Sequence, residues 1–101
     1  MNKQGPKVVV ITGCDLPRSY GYELSLLLDK QGYHVYAGCT DCNGIGARSL
    51  ASRGSENLAI LQIDVRSDES VKEAVTLIQD SEGDEGKEIV DFITYLTKLN
   101  F

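Results

Sequence analysis

A glycine-bearing turn separates the first apolar run of the chain from the first helical pattern. The run at residues 7–12 ends at Gly13, and the helical pattern begins near Tyr20 and Gly21. Glycines at a strand-to-helix turn allow the backbone to bend tightly and to approach a pyrophosphate closely. The N–H groups at the start of the helix then attract the phosphates. These residues therefore predict a dinucleotide-binding loop.

The elements that must position this loop alternate between strand and helix. Period-2 and continuous apolar runs predict strands over residues 7–12, 33–38, 58–65 and 89–96. Apolar residues at helical spacing predict helices at about residues 20–31, 44–53 and 68–82. Residues 89–96 could also form a terminal helix, but their β-branched and aromatic content favours a strand.

Strand–helix alternation of this kind is typical of βαβ units with right-handed crossovers. The predicted fold class is α/β, a Rossmann-like, partial doubly wound parallel sheet of order 3-2-1-4 with helices on both faces. Ser67 is expected to cap the third helix. Inward faces are predicted from Leu24, Leu27 and Leu28 in the first helix and from Leu50 and Ala51 in the second.

Composition narrows the function classes. The chain has 101 residues, 42% of them apolar, so a single domain, residues 1–101, is expected. A net charge of −5 argues against a protein that holds nucleic acid through its phosphates. No apolar run approaches the ~20 residues of a membrane span, and the polar N-terminus does not resemble a signal peptide. We therefore expect an intracellular, cytoplasmic protein without a membrane segment.

Three cysteines, Cys14, Cys39 and Cys42, read as reduced thiols in such a protein. Cys39 and Cys42 form a C-x-x-C pattern, so a small thiol protein is one alternative function. Zinc is not expected, because His34, the single histidine, would lie roughly 16 Å from Cys39 along a strand.

Several segments together resemble the short-chain dehydrogenases/reductases, in particular the retinol, hydroxysteroid and hydroxybutyrate dehydrogenases. The likeness begins at residues 8–15, VVVITGCD, where this branch often reads T-G-C-D-S-G-F-G. It continues through residues 22–24, 28–32, 35–39 and 61–65, and covers roughly residues 7–82. The resemblance implies a bound nicotinamide dinucleotide and an oxidoreductase family.

The resemblance also implies the residues that would line the cofactor site. They are Gly13, Cys14, Asp15, Ser19, Tyr20, Gly21, Cys39, Asp41, Asp64 and Val65. Counting along the family pattern places Cys39 at the position whose residue usually contacts the adenosine ribose. Asp41, two residues later, could reach the ribose hydroxyls or be a plain loop aspartate. Asp64 and Val65 match the pair that flanks the adenine, although Asp64 could simply end its strand. No arginine directly follows the second strand, which favours NAD over NADP.

The phosphate loop departs from the family spacing. Two extra residues lie between Asp15 and Gly21, so Ser19 takes the middle glycine position and Pro17 removes one N–H donor. We expect these changes to weaken cofactor binding. A second glycine-bearing segment, residues 40–46, also follows a strand, but it is one residue short and is expected to be a turn without function.

The catalytic pattern of the family, Y-x-x-x-K, does not occur in the chain. Tyr95 and Lys98 form only Y-x-x-K, and the likeness is lost over residues 88–101. The expectation is a truncated cofactor-binding part that cannot transfer hydride alone. The alternative is a truncated or splice-variant product without catalysis, which would act by protein–protein pairing, including self-association through an open sheet edge.

Overall fold

The computed structural model describes residues 8–82 and 89–93. In these residues strands and helices alternate as β1 (Val8–Ile11), α1 (Tyr20–Lys30), β2 (His34–Cys39), α2 (Ile45–Arg53), β3 (Leu58–Gln62), α3 (Asp68–Glu82) and β4 (Ile89–Ile93). The predicted α/β class is therefore confirmed. Residues 94–96 of the predicted last strand lie outside the described residues.

The strands form one parallel sheet in the order β3-β2-β1-β4. β1 pairs with β2 from Val8 opposite His34 to Ile11 opposite Ala37, and β3 pairs with the other side of β2. β4 pairs with β1 on its remaining side. Because parallel strands all end at the same edge, the loops that follow β1, β2 and β3 share one side of the molecule.

Burial of β1 on both faces explains its unbroken apolar sequence. All four of its residues are buried, and alternate residues enter different cores. Val9 and Ile11 pack with residues of α1 and α2, including Tyr22 and Leu50. Val8 and Val10 belong to a second core, whose helical members are Ala74 and Ile78 of α3. The helices therefore cover both faces of the sheet, as predicted.

The inward face of α1 is carried by Gly21, Tyr22 and Ser25, and two of the three leucines predicted from the sequence, Leu24 and Leu28, pack against the same core. Gly21 and Ser25 are buried together with Tyr22, whereas Leu27 is 51% exposed. The prediction for Leu27 was wrong because α1 presents Gly21, Tyr22 and Ser25 to the core, which turns Leu27 toward solvent. The prediction for Ala51 was wrong in the same way, since Ala47 and Leu50 face inward while Ala51 is exposed.

The predicted cap of α3 is present. The Ser67 hydroxyl accepts a hydrogen bond from the backbone N–H of Ser70 at 3.1 Å. The Ser67 carbonyl accepts from the N–H of Val71 at 3.0 Å. Asp68 and Glu69 occupy the first turn, where carboxylates stabilise the positive end of the helix dipole.

A buried tyrosine joins α1 to α2. The Tyr22 hydroxyl lies 2.6 Å from the Ser49 hydroxyl and accepts a hydrogen bond from the Arg53 guanidinium at 3.0 Å. The hydrogen bond with Ser49, followed by that with Arg53, lowers the pKa of Tyr22. The polar end of this large core side chain is therefore satisfied, so its burial does not leave an unpaired hydroxyl.

A second polar connection ties the end of α1 to the turn before β3. The Asp29 carboxylate accepts hydrogen bonds from the Ser55 hydroxyl at 2.5 Å and from the Ser55 backbone N–H at 2.8 Å. This connection lies at the amino edge of the sheet, opposite the glycine-bearing loop.

We predict that Leu50→Ala destabilises the fold by about 2–5 kcal/mol, because Leu50 is fully buried and its truncation leaves a cavity. The same change at Leu27 is expected to cost less than about 1 kcal/mol, because half of that side chain is already in water. Urea unfolding followed by circular dichroism measures both. Equal losses for the two variants would contradict the orientation of α1.

Candidate functional site

The loop after β1 folds back against the end of β2. Gly13 adopts φ of 79°, a left-handed conformation that favours glycine, and the N–H of Cys14 donates to the carbonyl of Gly38 at 3.0 Å. An added Cβ at Gly38 would meet Ile63 Cγ2 at 2.7 Å and the Ile11 carbonyl at 3.1 Å. Backbone therefore packs on backbone where the two strands end.

The two extra residues of this loop are absorbed by a tight turn. The N–H of Ser19 donates to the Leu16 carbonyl at 3.2 Å, which closes a four-residue turn with Pro17 and Arg18 at its centre. Arg18 has φ of 69°. A proline in the second position and a positive φ in the third are the features of a type II turn. Pro17 therefore occupies a turn position where a backbone N–H is not needed for hydrogen bonding.

Ser19 forms the N-cap of α1. Its hydroxyl accepts from the N–H of Tyr22 at 3.4 Å, and the same hydroxyl lies 3.4 Å from the Gly13 carbonyl, to which it donates. An added Cβ at Gly21 would lie 2.8 Å from the carbonyl oxygens of both Thr12 and Gly13. Gly21 is thus the residue that lets α1 begin directly beside the end of β1. Tyr20, at the first helical position, is 78% exposed.

Asp15 joins the loop after β1 to the loop after β2. Its Oδ1 atom accepts hydrogen bonds from the Thr40 N–H and hydroxyl, each at 2.9 Å, and from the Asp41 N–H at 3.3 Å. The Asp15 carbonyl accepts from the N–H of Gly46 at 3.1 Å, and an added Cβ at Gly46 would collide with that carbonyl. The segment predicted to be a plain turn therefore includes a packing glycine.

Gln62, the last residue of β3, holds the other side of the β2–α2 loop. The side-chain Nε2 of Gln62 donates to the Thr40 carbonyl at 2.7 Å, and its side-chain Oε1 accepts from the Cys42 N–H at 3.1 Å. The Asp41 carboxylate accepts from the N–H of Asn43 at 2.9 Å. Asp41 is exposed, as a ribose contact would have to be.

Asp64 and Val65 follow β3 at the same edge of the sheet. The Asp64 carboxylate pairs with the Arg66 guanidinium at 3.0 and 3.1 Å, which lowers the pKa of Asp64. Its backbone N–H donates to the Ser70 hydroxyl at 2.9 Å. Val65 packs partly against the core beneath α3. An adenine contact with the Asp64 side chain would therefore have to share it with Arg66.

The thiols of Cys14 and Cys39 turn away from this edge into the core. Both side chains are fully buried, and burial raises the pKa of Cys14 to about 11 and that of Cys39 to about 12. The Cys14 thiol instead lies 3.4 Å from the Ser25 hydroxyl. Any part that Cys14 or Cys39 takes in ligand binding would therefore come from the backbone. Cys42 is exposed, and all three cysteines are free.

The hydrogen bonds thus bring Gly13, Asp15, Ser19 and Asp41 into one connected edge of the sheet, with Gly21 beneath it. The sequence interpretation missed Thr40, Gln62 and Gly46, whose partners lie about twenty or more residues away and leave no mark in local spacing. Within residues 8–82 and 89–93, no group of three metal-ligating side chains is placed to hold an ion. None of the helices in that part of the chain is long and apolar enough to cross a membrane.

We predict that Arg18→Gly raises the free energy of unfolding by about 0.5–1.5 kcal/mol, because glycine adopts a positive φ without the steric cost that arginine incurs. Arg48→Gly, at an exposed position inside α2, is the matched control and should lower stability by about 1 kcal/mol. Thermal unfolding shows whether each variant is more or less stable than the wild type. A loss of stability in Arg18→Gly would contradict the turn geometry.

We also predict that only one thiol reacts rapidly with Ellman's reagent in the folded protein at pH 8. The thiolate is the reactive form, and the raised pKa values of Cys14 and Cys39 keep both protonated at that pH. Cys42→Ser should abolish the rapid reaction, and unfolding in guanidinium should expose the remaining thiols. Rapid labelling of Cys42→Ser would show that the core thiols are accessible.

The chain is similar to curated dehydrogenases over most of its length. No protein-family model matches the chain. Estradiol 17-beta-dehydrogenase 2 of Mus musculus is 39% identical over 80 residues, which are 79% of this chain and 20% of that protein. Mitochondrial D-beta-hydroxybutyrate dehydrogenase of Bos taurus is 37% identical over 79 residues, 76% of this chain and 22% of that protein. The chain thus spans about a fifth of the length of these relatives.

The fold has a counterpart among solved structures. The Sniffer protein of Caenorhabditis elegans, to which carbonyl reductase activity is assigned, aligns with a TM-score of 0.59 and 26% identity over 79% of this chain and 33% of that one. This structural match agrees with the parallel α/β sheet described above. Over about four fifths of its length, the chain is thus similar to members of the short-chain dehydrogenase/reductase family.

Proposed function

We propose that the chain provides the adenosine side of a nicotinamide dinucleotide site, with NAD favoured over NADP. The observation that carries this proposal is the connected edge of the sheet, where Asp15 bonds the loop after β1 to Thr40 and Asp41 after β2. In open α/β sheets, ligands bind outside the carboxyl ends of the strands. The relatives named as dehydrogenases support a dinucleotide as the ligand.

The residues at this edge fit a dinucleotide in specific ways. Gly13 has the positive φ of a tight phosphate loop, and Gly21 lets the first turn of α1 reach the end of β1. The backbone N–H groups in the first turn of α1, together with the helix dipole, attract a pyrophosphate. Asp41 offers a carboxylate to ribose hydroxyls, and Asp64 with Val65 would flank the adenine. When bound, the nicotinamide ring supplies hydride transfer, which no side chain can supply.

Affinity is expected to be low. Ser19 carries a side chain at the mouth of the loop, and its hydroxyl already engages the Gly13 carbonyl and the Tyr22 amide. Each charged hydrogen bond lost to the pyrophosphate weakens binding by about 1.5–3 kcal/mol. A full site of micromolar affinity, about −8 kcal/mol, would fall toward the millimolar range after two such losses.

We predict that NAD, AMP and ADP-ribose bind with similar dissociation constants of about 1 mM, because the adenosine side makes most of the contacts. Amide signals of residues 13–21, 40–41 and 64–65 should shift in a two-dimensional NMR titration. Replacing residues 16–19 by Ser-Gly, which restores the family spacing, should tighten binding by about tenfold through one regained phosphate hydrogen bond.

Two results would each contradict a different part of this proposal: the low affinity or the adenosine site itself. A submicromolar constant for NAD would show that the altered loop is not a defect. The absence of any shift with adenine nucleotides at about 10 mM, well above the expected constant, would show that the edge is not an adenosine site. In that case the non-catalytic alternative, pairing through a sheet edge, becomes the better account, and sedimentation velocity would test it directly.

Catalysis by this chain alone is not part of the proposed function. The sequence has no Y-x-x-x-K pattern, and Tyr95 and Lys98 lie outside the described residues. Such a tyrosine would act as the proton donor for a carbonyl oxygen. Incubation of the purified chain with NAD and either estradiol or D-beta-hydroxybutyrate, the substrates in the relatives' names, should form no NADH.

A further inference from the structure

We propose that Asp15 is a specificity residue that excludes a 2′-phosphate from the adenosine ribose and a positioning residue for the loop after β2. This inference rests on the proposed adenosine site and names the cofactor class that the site accepts. Asp15 lies in the loop after β1, but it acts at the end of β2, through its hydrogen bonds with Thr40 and Asp41.

The first reason is that the backbone donors after β2 are already occupied. Five consecutive N–H groups, those of residues 40–44, each donate to an acceptor of the chain. Asp15 accepts the first two, Gln62 the third, and Asp41 the last two through its carboxylate and its carbonyl. A phosphate held by the backbone of this loop would need free N–H donors, so binding it in that way would require these hydrogen bonds to break.

The second reason is charge. Asp15 places a carboxylate directly on the backbone of Thr40, and Asp41 adds a second one at the next residue. Two carboxylates repel a phosphate dianion, whereas they accept hydrogen bonds from the hydroxyl groups of an unmodified ribose. The same loop that suits a ribose diol therefore opposes its phosphorylated form.

Asp15→Asn separates charge from positioning. The asparagine oxygen can still accept from Thr40 and Asp41, so the loop should keep its place while the negative charge is removed. Asp29→Asn is a matched control, because Asp29 also accepts a hydroxyl and a backbone N–H, those of Ser55, at the opposite edge of the sheet. Both variants change the net charge equally, so any difference between them is local.

The experiment compares AMP with adenosine 2′,5′-bisphosphate in NMR titrations of the 101-residue chain. We expect AMP to bind the wild type at least about tenfold more tightly than the bisphosphate. Asp15→Asn should reduce that preference to about threefold or less, because the negative charge that opposes the 2′-phosphate is removed, and Asp29→Asn should leave the preference at its wild-type value. Raising the salt concentration should narrow the wild-type preference, because salt screens the exposed carboxylates.

A third variant tests positioning. Asp15→Ala removes both the charge and the acceptor, so we expect AMP binding to weaken about fivefold and the amide signals of Thr40 and Asp41 to move in the free protein. Rescue of AMP binding in Asp15→Asn relative to Asp15→Ala identifies the acceptor as the positioning element. Equal AMP affinities in the two variants would refute that part of the inference.

The inference and the proposed function fail in different ways. If AMP binds but the wild type shows no preference against the bisphosphate, or if Asp15→Asn leaves the preference unchanged, the role of Asp15 in specificity is wrong and the adenosine site stands. If neither nucleotide shifts any signal at about 10 mM, the adenosine site itself is wrong, and the inference is overturned with it.

Discussion

Direct packing of backbone on backbone at the carboxyl edge of the sheet is the constraint on which the rest of the structure depends. Three glycines make it possible: Gly21 brings α1 against the Thr12 and Gly13 carbonyls, Gly38 lets β2 pass beneath the same loop, and Gly46 seats α2 on the Asp15 carbonyl. A side chain at any of the three would separate an element from the loop after β1. Because the glycines keep these elements close to the loop after β1, polar atoms of the loop can reach the end of the next strand. The hydrogen bonds between Asp15 and Thr40 follow from this closeness.

The order of the elements was predictable because burial leaves a strong periodic signal. The unbroken apolar run of β1 identified a strand with two covered faces, and the spacing of Val71, Ala74 and Ile78 identified α3 and its buried side. The face of α1 was only partly predictable from hydrophobicity, because Leu24 and Leu28 pack against the core as predicted but Leu27 does not. Gly21, Tyr22 and Ser25 are the buried residues of this helix, whereas Leu27 is exposed, so the leucines alone did not mark the centre of the inward face.

The candidate site was predictable only in outline. Gly13, Gly21 and the strand-end aspartates could be found from local spacing and from the family likeness, since each stands where a strand ends or the next helix begins. The bonds from Asp15 to Thr40 and from Gln62 to Cys42 join residues that are far apart in sequence, so no local pattern announces them. The extra residues of the loop looked disruptive in sequence, yet the turn from Leu16 to Ser19 accommodates them and leaves Ser19 free to cap α1.

The position of β4 has a consequence for how the chain acquires its structure. The β1–β2 and β2–β3 pairings each join strands separated by one helix, whereas Val8 of β1 pairs with Ile89, about 80 positions later. Closing a loop costs entropy that grows with its length, and long-range parallel pairing is slow for this reason. The three-strand unit β1-β2-β3 can therefore assemble as a nucleus from neighbouring segments. By this reasoning β4 is expected to pair last. As an edge strand held by a single neighbour, it is also expected to exchange its amide hydrogens with solvent sooner than the central strands β1 and β2.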